Sequence, residues 1–133
     1  MTTGQFIETW HRCVADRDLD GLTDMLAEEI SFSSPAFFAP TTAKGPIAFL
    51  LSQVVELMPD FHYVSTFTNE RGGIVLQFTG TLSSAGREYH VEGVDILTLD
   101  DDGKVCNFVV MIRPLSSLQA LATEIKKRFM GAT

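Results

Sequence analysis

Apolar side chains recur every three or four positions early in the chain and every second position in its later half, and this change of period predicts the architecture. Phe6, Ile7, Trp10, Cys13 and Val14 share one stripe of a helix over about residues 4 to 16. A shorter helix is expected from Asp18 to Ala27, capped by Asp18 or Asp20, with Leu19, Leu22, Met25 and Leu26 on its apolar face. Ile30-Ser31-Phe32-Ser33 alternates like a half-buried strand, and Pro35 ends regular pairing. The stretch from Ser33 to Gly45 reads as a loop. Phe37 and Phe38 within it are too costly to leave in water and should roof a cavity or enter the core. Gly45-Pro46 opens a third helix with Ile47, Phe49, Leu50, Val54, Val55 and Leu57 around much of its circumference, and Pro59 closes it.

From Asp60 the period becomes two. His62 to Thr68, Ile74 to Leu82, Glu88 to Leu99 and Val105 to Arg113 are rich in β-branched and aromatic residues, and short polar links between them predict an antiparallel meander. Asp102-Gly103 is the strongest turn signal. Beyond Pro114, a cap at Ser116 should start a last helix carrying Leu118, Leu121 and Ile125 on one side. Helices first and strands afterwards, without strict alternation, make an α+β fold. The 133 residues suit one domain spanning 1–133.

Composition narrows the partners. Seventeen acidic residues against ten basic ones give a net charge of −7, which repels phosphate backbones and anionic lipid, so neither nucleic acid nor a membrane surface is expected. No apolar run reaches the 18 residues that suggest a membrane span. Met1-Thr2-Thr3-Gly4-Gln5 lacks the pattern of a signal peptide, which makes the cytoplasm the expected location. Cys13 and Cys106 form no CxxC pair and are expected to be reduced core thiols.

Four segments, in this order, resemble the superfamily of nuclear transport factor 2, which includes ketosteroid isomerases and SnoaL-like polyketide cyclases. They are Ala15-Asp16-Arg17-Asp18-Leu19-Asp20-Gly21-Leu22, Ile30-Ser31-Phe32-Ser33-Ser34-Pro35, Lys44-Gly45-Pro46, and the run from Val94 to Val105 across the last hairpin. The resemblance covers residues 5 to 113. It implies a cone-shaped curved antiparallel sheet with three N-terminal helices on its concave face and a C-terminal helix. It also implies a dimer through the opposite sheet face, and no single activity, because enzymes, carriers and association modules share this scaffold.

Alternation puts Tyr89, Val91, Gly93, Asp95 and Leu97 on one face of their strand and His90, Glu92, Val94, Ile96 and Thr98 on the other. In ketosteroid isomerases the position matching Asp95 is a carboxylic acid kept neutral in an apolar cavity, where it donates a hydrogen bond to a developing oxyanion. Asp95 is therefore the expected catalytic acid or base. Its structural alternative is a fixed pairing with Arg113, Trp10 or a backbone donor. Two other positions depart from those enzymes: Ser34, before Pro35, replaces the carboxylate that moves the proton, and Trp10 replaces the tyrosine that supports the oxyanion. Isomerisation of steroids by that machinery is accordingly not expected.

On the same family geometry Phe32, Phe37, Phe38, Phe49, Val91, Phe108, Val110 and Ile112 would wall a pocket for a small hydrophobic ligand, with Trp10 and Ser34 orienting it. A filled core is the competing reading. No cofactor is called for. His90 and Glu92 lack a third metal ligand, and Asp100-Asp101-Asp102 lacks the alternation of a calcium loop and reads as a turn. Arg113 suits a rim salt bridge or an anionic ligand. Three functions stay open: an isomerase- or cyclase-like enzyme using Asp95, a non-catalytic ligand-binding domain, and a homodimeric association module whose outer face carries His90, Val94, Ile96, Val109 and Met111.

Overall fold

In the computed structural model the described residues are 2–35 and 41–131. Helix α1, Thr3–Ala15, begins at a reciprocal cap: the Thr2 hydroxyl accepts from the Gln5 N–H while the Gln5 side chain accepts from the Thr2 N–H. Its stripe of Phe6, Trp10, Cys13 and Val14 is buried as the periodicity requires. Helix α2, Leu19–Asp24, is capped by Asp18. It stops three residues before the expected end because the Met25 carbonyl accepts from the Val105 N–H, which draws Leu26 into strand pairing opposite Val105.

The first strand, β1 at Leu26–Ser33, is thus longer than its alternating segment. Within the expected loop, Thr41–Ala43 forms a short strand, β2, that leads directly into helix α3 at Lys44–Leu57. Strands β3 (His62–Thr68), β4 (Gly73–Ser84), β5 (Arg87–Leu99) and β6 (Val105–Arg113) follow as the predicted antiparallel meander. The β4–β5 turn is two residues long, Ala85 and Gly86, both at positive φ. Helix α4, Leu115–Gly131, starts one residue before the expected cap at Ser116. The neighbouring Ser117 hydroxyl donates to the His90 carbonyl and ties α4 to β5.

The six strands run in the order β2-β1-β6-β5-β4-β3. β1 joins β6 in parallel, a pairing between distant segments on which period-two alternation is silent. One face of this curved sheet carries Ile74, Leu76, Phe78 and Leu82 of β4, Val91 and Leu97 of β5, and Phe108 of β6 into a continuous apolar core with the helices. The other face presents Val75, Ile96 and Val109 in one cross-strand row and Val94 beside Met111 in the next. Val64, Phe67 and Met111 are exposed. Cys13 and Cys106 are both free. Among the described residues no helix is long and apolar enough to cross a membrane.

Candidate functional site

β5 places Asp95 on the inner face, where its cross-strand neighbours are Leu76 and Val110. Apolar flanks on both sides strip water from the carboxyl, which is only 4% exposed. Burial pushes it up from 3.8 to about 7, and a hydrogen bond from Tyr63 opposes that rise. Tyr63 Oη donates to Asp95 Oδ2 at 2.9 Å and accepts from Trp10 Nε1 at 3.0 Å. The other carboxylate oxygen has no protein hydrogen-bond partner among the described residues. Burial, and after it the nearby Asp95 charge, pushes the Tyr63 phenol well above its usual value, so it stays a neutral donor.

His11 lies against Tyr63, ring centroids 4.9 Å apart and nearly parallel. Its Nε2 is buried without a hydrogen-bond partner among the described residues, and burial lowers its pKa, which favours the neutral imidazole. His11 is thus half-buried on α1, with its Nε2 turned away from solvent.

A cavity of about 40 Å³ adjoins Asp95. Phe32, Ser34, Val110 and Ile112 line it, as do Tyr63, Phe61 and Phe78. Its remaining walls are mainly leucine, valine and isoleucine from α3 and α4, among them Leu51, Val54, Leu121 and Ile125. Asp95 and Tyr63 are the titratable side chains in this lining.

Several expected wall residues stand elsewhere. Trp10 and Phe108 are fully buried behind the cavity, where Trp10 packs between Phe6 and Phe108 and Phe108 meets Phe32 edge-on. Val91 is core at the far end of β5, and Phe49 is half-buried on α3 outside the lining. Phe37 and Phe38 lie outside the described residues. Neither alternative partner proposed for Asp95 touches it directly: Trp10 reaches it through Tyr63, and Arg113 pairs at 3.5 Å with Glu92 on the opposite face. Tyr63 is the residue sequence reasoning missed: its place in an alternating strand and its polar tip are visible in the sequence, but its position opposite Phe78 is set by the pairing of β3 with β4. Among the described residues no group of three or more His, Cys, Asp or Glu is placed to hold a metal ion.

Comparison with known proteins agrees with this architecture. Residues 7–108 match the family of the SnoaL-like domain. A steroid delta-isomerase from Pseudomonas aeruginosa is 31% identical, with 98% of this chain and 93% of that one aligned at a TM-score of 0.87. An uncharacterised bacterial protein with a cystatin-like fold from Silicibacter pomeroyi is 26% identical over 94% of this chain and 85% of that one, at a TM-score of 0.82. An NTF2-like protein from Burkholderia pseudomallei, 16% identical over 91% and 98% of the two chains at a TM-score of 0.71, shares the fold. No curated protein matches the chain. A match over most of its length, together with the curved sheet and its four helices, makes this chain a member of the SnoaL-like domain family within the nuclear transport factor 2-like superfamily.

Proposed function

We propose that the protein binds a small, largely apolar molecule through a carbonyl or enol oxygen at Asp95, and that Asp95 exchanges a proton with it. One observation carries this reading: a buried carboxyl group, pushed up to about 7, adjoins a carbon-walled void with one oxygen held by Tyr63 and the other without a protein hydrogen-bond partner among the described residues. At pH 7 such a group exists in both forms, the condition general acid–base catalysis needs. The neutral acid donates to a carbonyl oxygen. The ionised form takes a proton from the ligand and returns it at another position, so the carboxyl ends the cycle as it began. Similarity to a steroid delta-isomerase supports a ligand of this chemical class.

The machinery differs from that of ketosteroid isomerases, since Ser34 and Trp10 occupy the places of their base and tyrosine, and residues 36–40 (Ala-Phe-Phe-Ala-Pro) add no titratable side chain. Ser34 favours a second reading, in which the same cavity holds its guest without chemistry. A space of about 40 Å³ is also small beside the roughly 300 Å³ at the lower end of ordinary ligand pockets, so entry requires the α3 and α4 side chains to give way.

Incubating the protein with neutral polycyclic ketones in deuterated water tests both readings. Saturable binding with deuterium gained next to the carbonyl, abolished by Asp95→Asn, supports proton transfer. Binding without exchange selects the carrier, and failure to bind any member of the panel overturns both. We also propose that two copies pair through the outer sheet face, because Phe67, Met111 and Val64 otherwise leave large apolar surface in water. Sedimentation of a monomer at micromolar concentration would refute this.

A further inference from the structure

We infer that Trp10 is a positioning residue: through Tyr63 it fixes which oxygen of Asp95 faces a guest and which carries the proton. The argument is one of hydrogen-bond polarity. An indole N–H can donate and cannot accept. Its bond to Tyr63 Oη at 3.0 Å therefore occupies a lone pair of the phenol, whose single hydrogen is left to point at Asp95 Oδ2, 2.9 Å away. With a hydrogen arriving from Tyr63, Oδ2 is an acceptor whether the carboxyl is ionised or neutral. The proton of the neutral acid consequently resides on Oδ1.

A tyrosine alone would not impose this order. Without Trp10, the phenol hydrogen could turn into the space the indole N–H had held, a lone pair would then face Oδ2, and the acid's proton could turn away from the ligand. A polarised chain of two bonds also makes Tyr63 a stronger donor than an isolated phenol. The inference rests on the reading of Asp95 as the ligand-facing group, and it gives that reading a chemical preference: a carbonyl oxygen when Asp95 is neutral and a hydroxyl or enol when it is ionised, both at Oδ1. Few other titratable groups bear on the Trp10–Tyr63–Asp95 chain. His11 of α1 lies against the Tyr63 ring, and no charged side chain of β1, β6, α3 or α4 lines the cavity among the described residues.

The test needs no ligand, so it fails or succeeds independently of the proposed function. Trp10 is the only tryptophan, and its indole N–H gives a single side-chain resonance. That resonance in the unmodified protein should shift with pH at the same midpoint as the Asp95 carboxyl carbon. Replacing Trp10 by benzothienylalanine, which keeps the ring size and substitutes sulfur for N–H, should raise the Asp95 midpoint by roughly half a unit. Trp10→Phe should do the same where it folds. An indole resonance indifferent to the Asp95 titration, or an unchanged midpoint in the folded isostere, would reduce Trp10 to packing and overturn the inference.

Discussion

Glu92 and Asp95 are carboxylates on one strand, and the strand's alternation sends them to opposite environments. Glu92 lies on the outer face, where His90 Nε2 at 3.0 Å and Arg113 at 3.5 Å bracket it; the His90 hydrogen bond, foremost, holds its carboxyl below the usual range. Asp95 lies inside between Leu76 and Val110, and burial raises it to about 7. The same functional group thus becomes a surface anchor or a neutral-range acid according to which face of the pleat it occupies. Chemistry follows from register here, and a shift by one residue would exchange the two roles.

The largest test of that contrast is Asp95→Asn. A rise from 3.8 to about 7 means that the folded state holds the proton more tightly than the unfolded state, so ionisation works against folding. Below the unfolded value both states are protonated and there is no penalty. Stability should fall as pH climbs from about 4 to about 7 and level off beyond, by about 4 kcal/mol in total. Asn keeps an acceptor for Tyr63 and cannot ionise. Urea unfolding should therefore give the variant little advantage at pH 4 and about 4 kcal/mol over the native chain at pH 8. Parallel stability curves for the two proteins would show that Asp95 is not desolvated as described.

A smaller effect is expected at Gly93, between the two acids in sequence. A Cβ at this position would strike the Met111 carbonyl on the neighbouring strand and the tip of the Phe78 ring. The missing side chain lets Phe78 lean across the inner face toward Ile112 and close one wall beside Asp95. Backbone on β6 cannot yield cheaply, so Gly93→Ala should cost about 2–3 kcal/mol of unfolding free energy, independent of pH. Chemical denaturation at two pH values checks both parts. A neutral substitution would mean that the strands are less tightly registered than the pairing of Gly93 with Phe78 and Ile112 implies.

Periodicity was enough to locate the meander, since His62–Thr68 and Val105–Arg113 end where their alternation ends. It grouped Asp95 with Val91 and Leu97 on one face of β5, and the resemblance to ketosteroid isomerases was needed to choose that face as the inner one. Long-range pairing was out of reach. The extension of β1 back to Leu26 depends on a carbonyl meeting Val105, and the use of Tyr63 depends on the alignment of β3 with β4. No local pattern contains either partner. The wall residues divided for a similar reason: Phe32 and Phe108 both look like lining, but which aromatic faces the void and which stands behind it is decided by packing against Trp10.

The smallest expected effect belongs to Glu92→Gln, and its sign is what matters. Because the Glu92 carboxyl is held below 4.5 in the folded protein, the contribution of its contacts with His90 and Arg113 is present above that value and lost as pH falls through the lowered folded value. Removing the charge should therefore leave acid stability untouched and weaken the protein slightly near neutrality, the reverse of the pH trend for Asp95→Asn. Exposure and salt screening keep such a surface pair weak, and added salt should erase what difference there is. Asp95 sits away from water and mobile ions, so its pH dependence should survive the same salt. Unfolding curves for the two variants at low and high ionic strength separate the faces cleanly: a salt-sensitive Asp95 effect would place that carboxyl within reach of solvent and remove the basis for treating it as a buried acid.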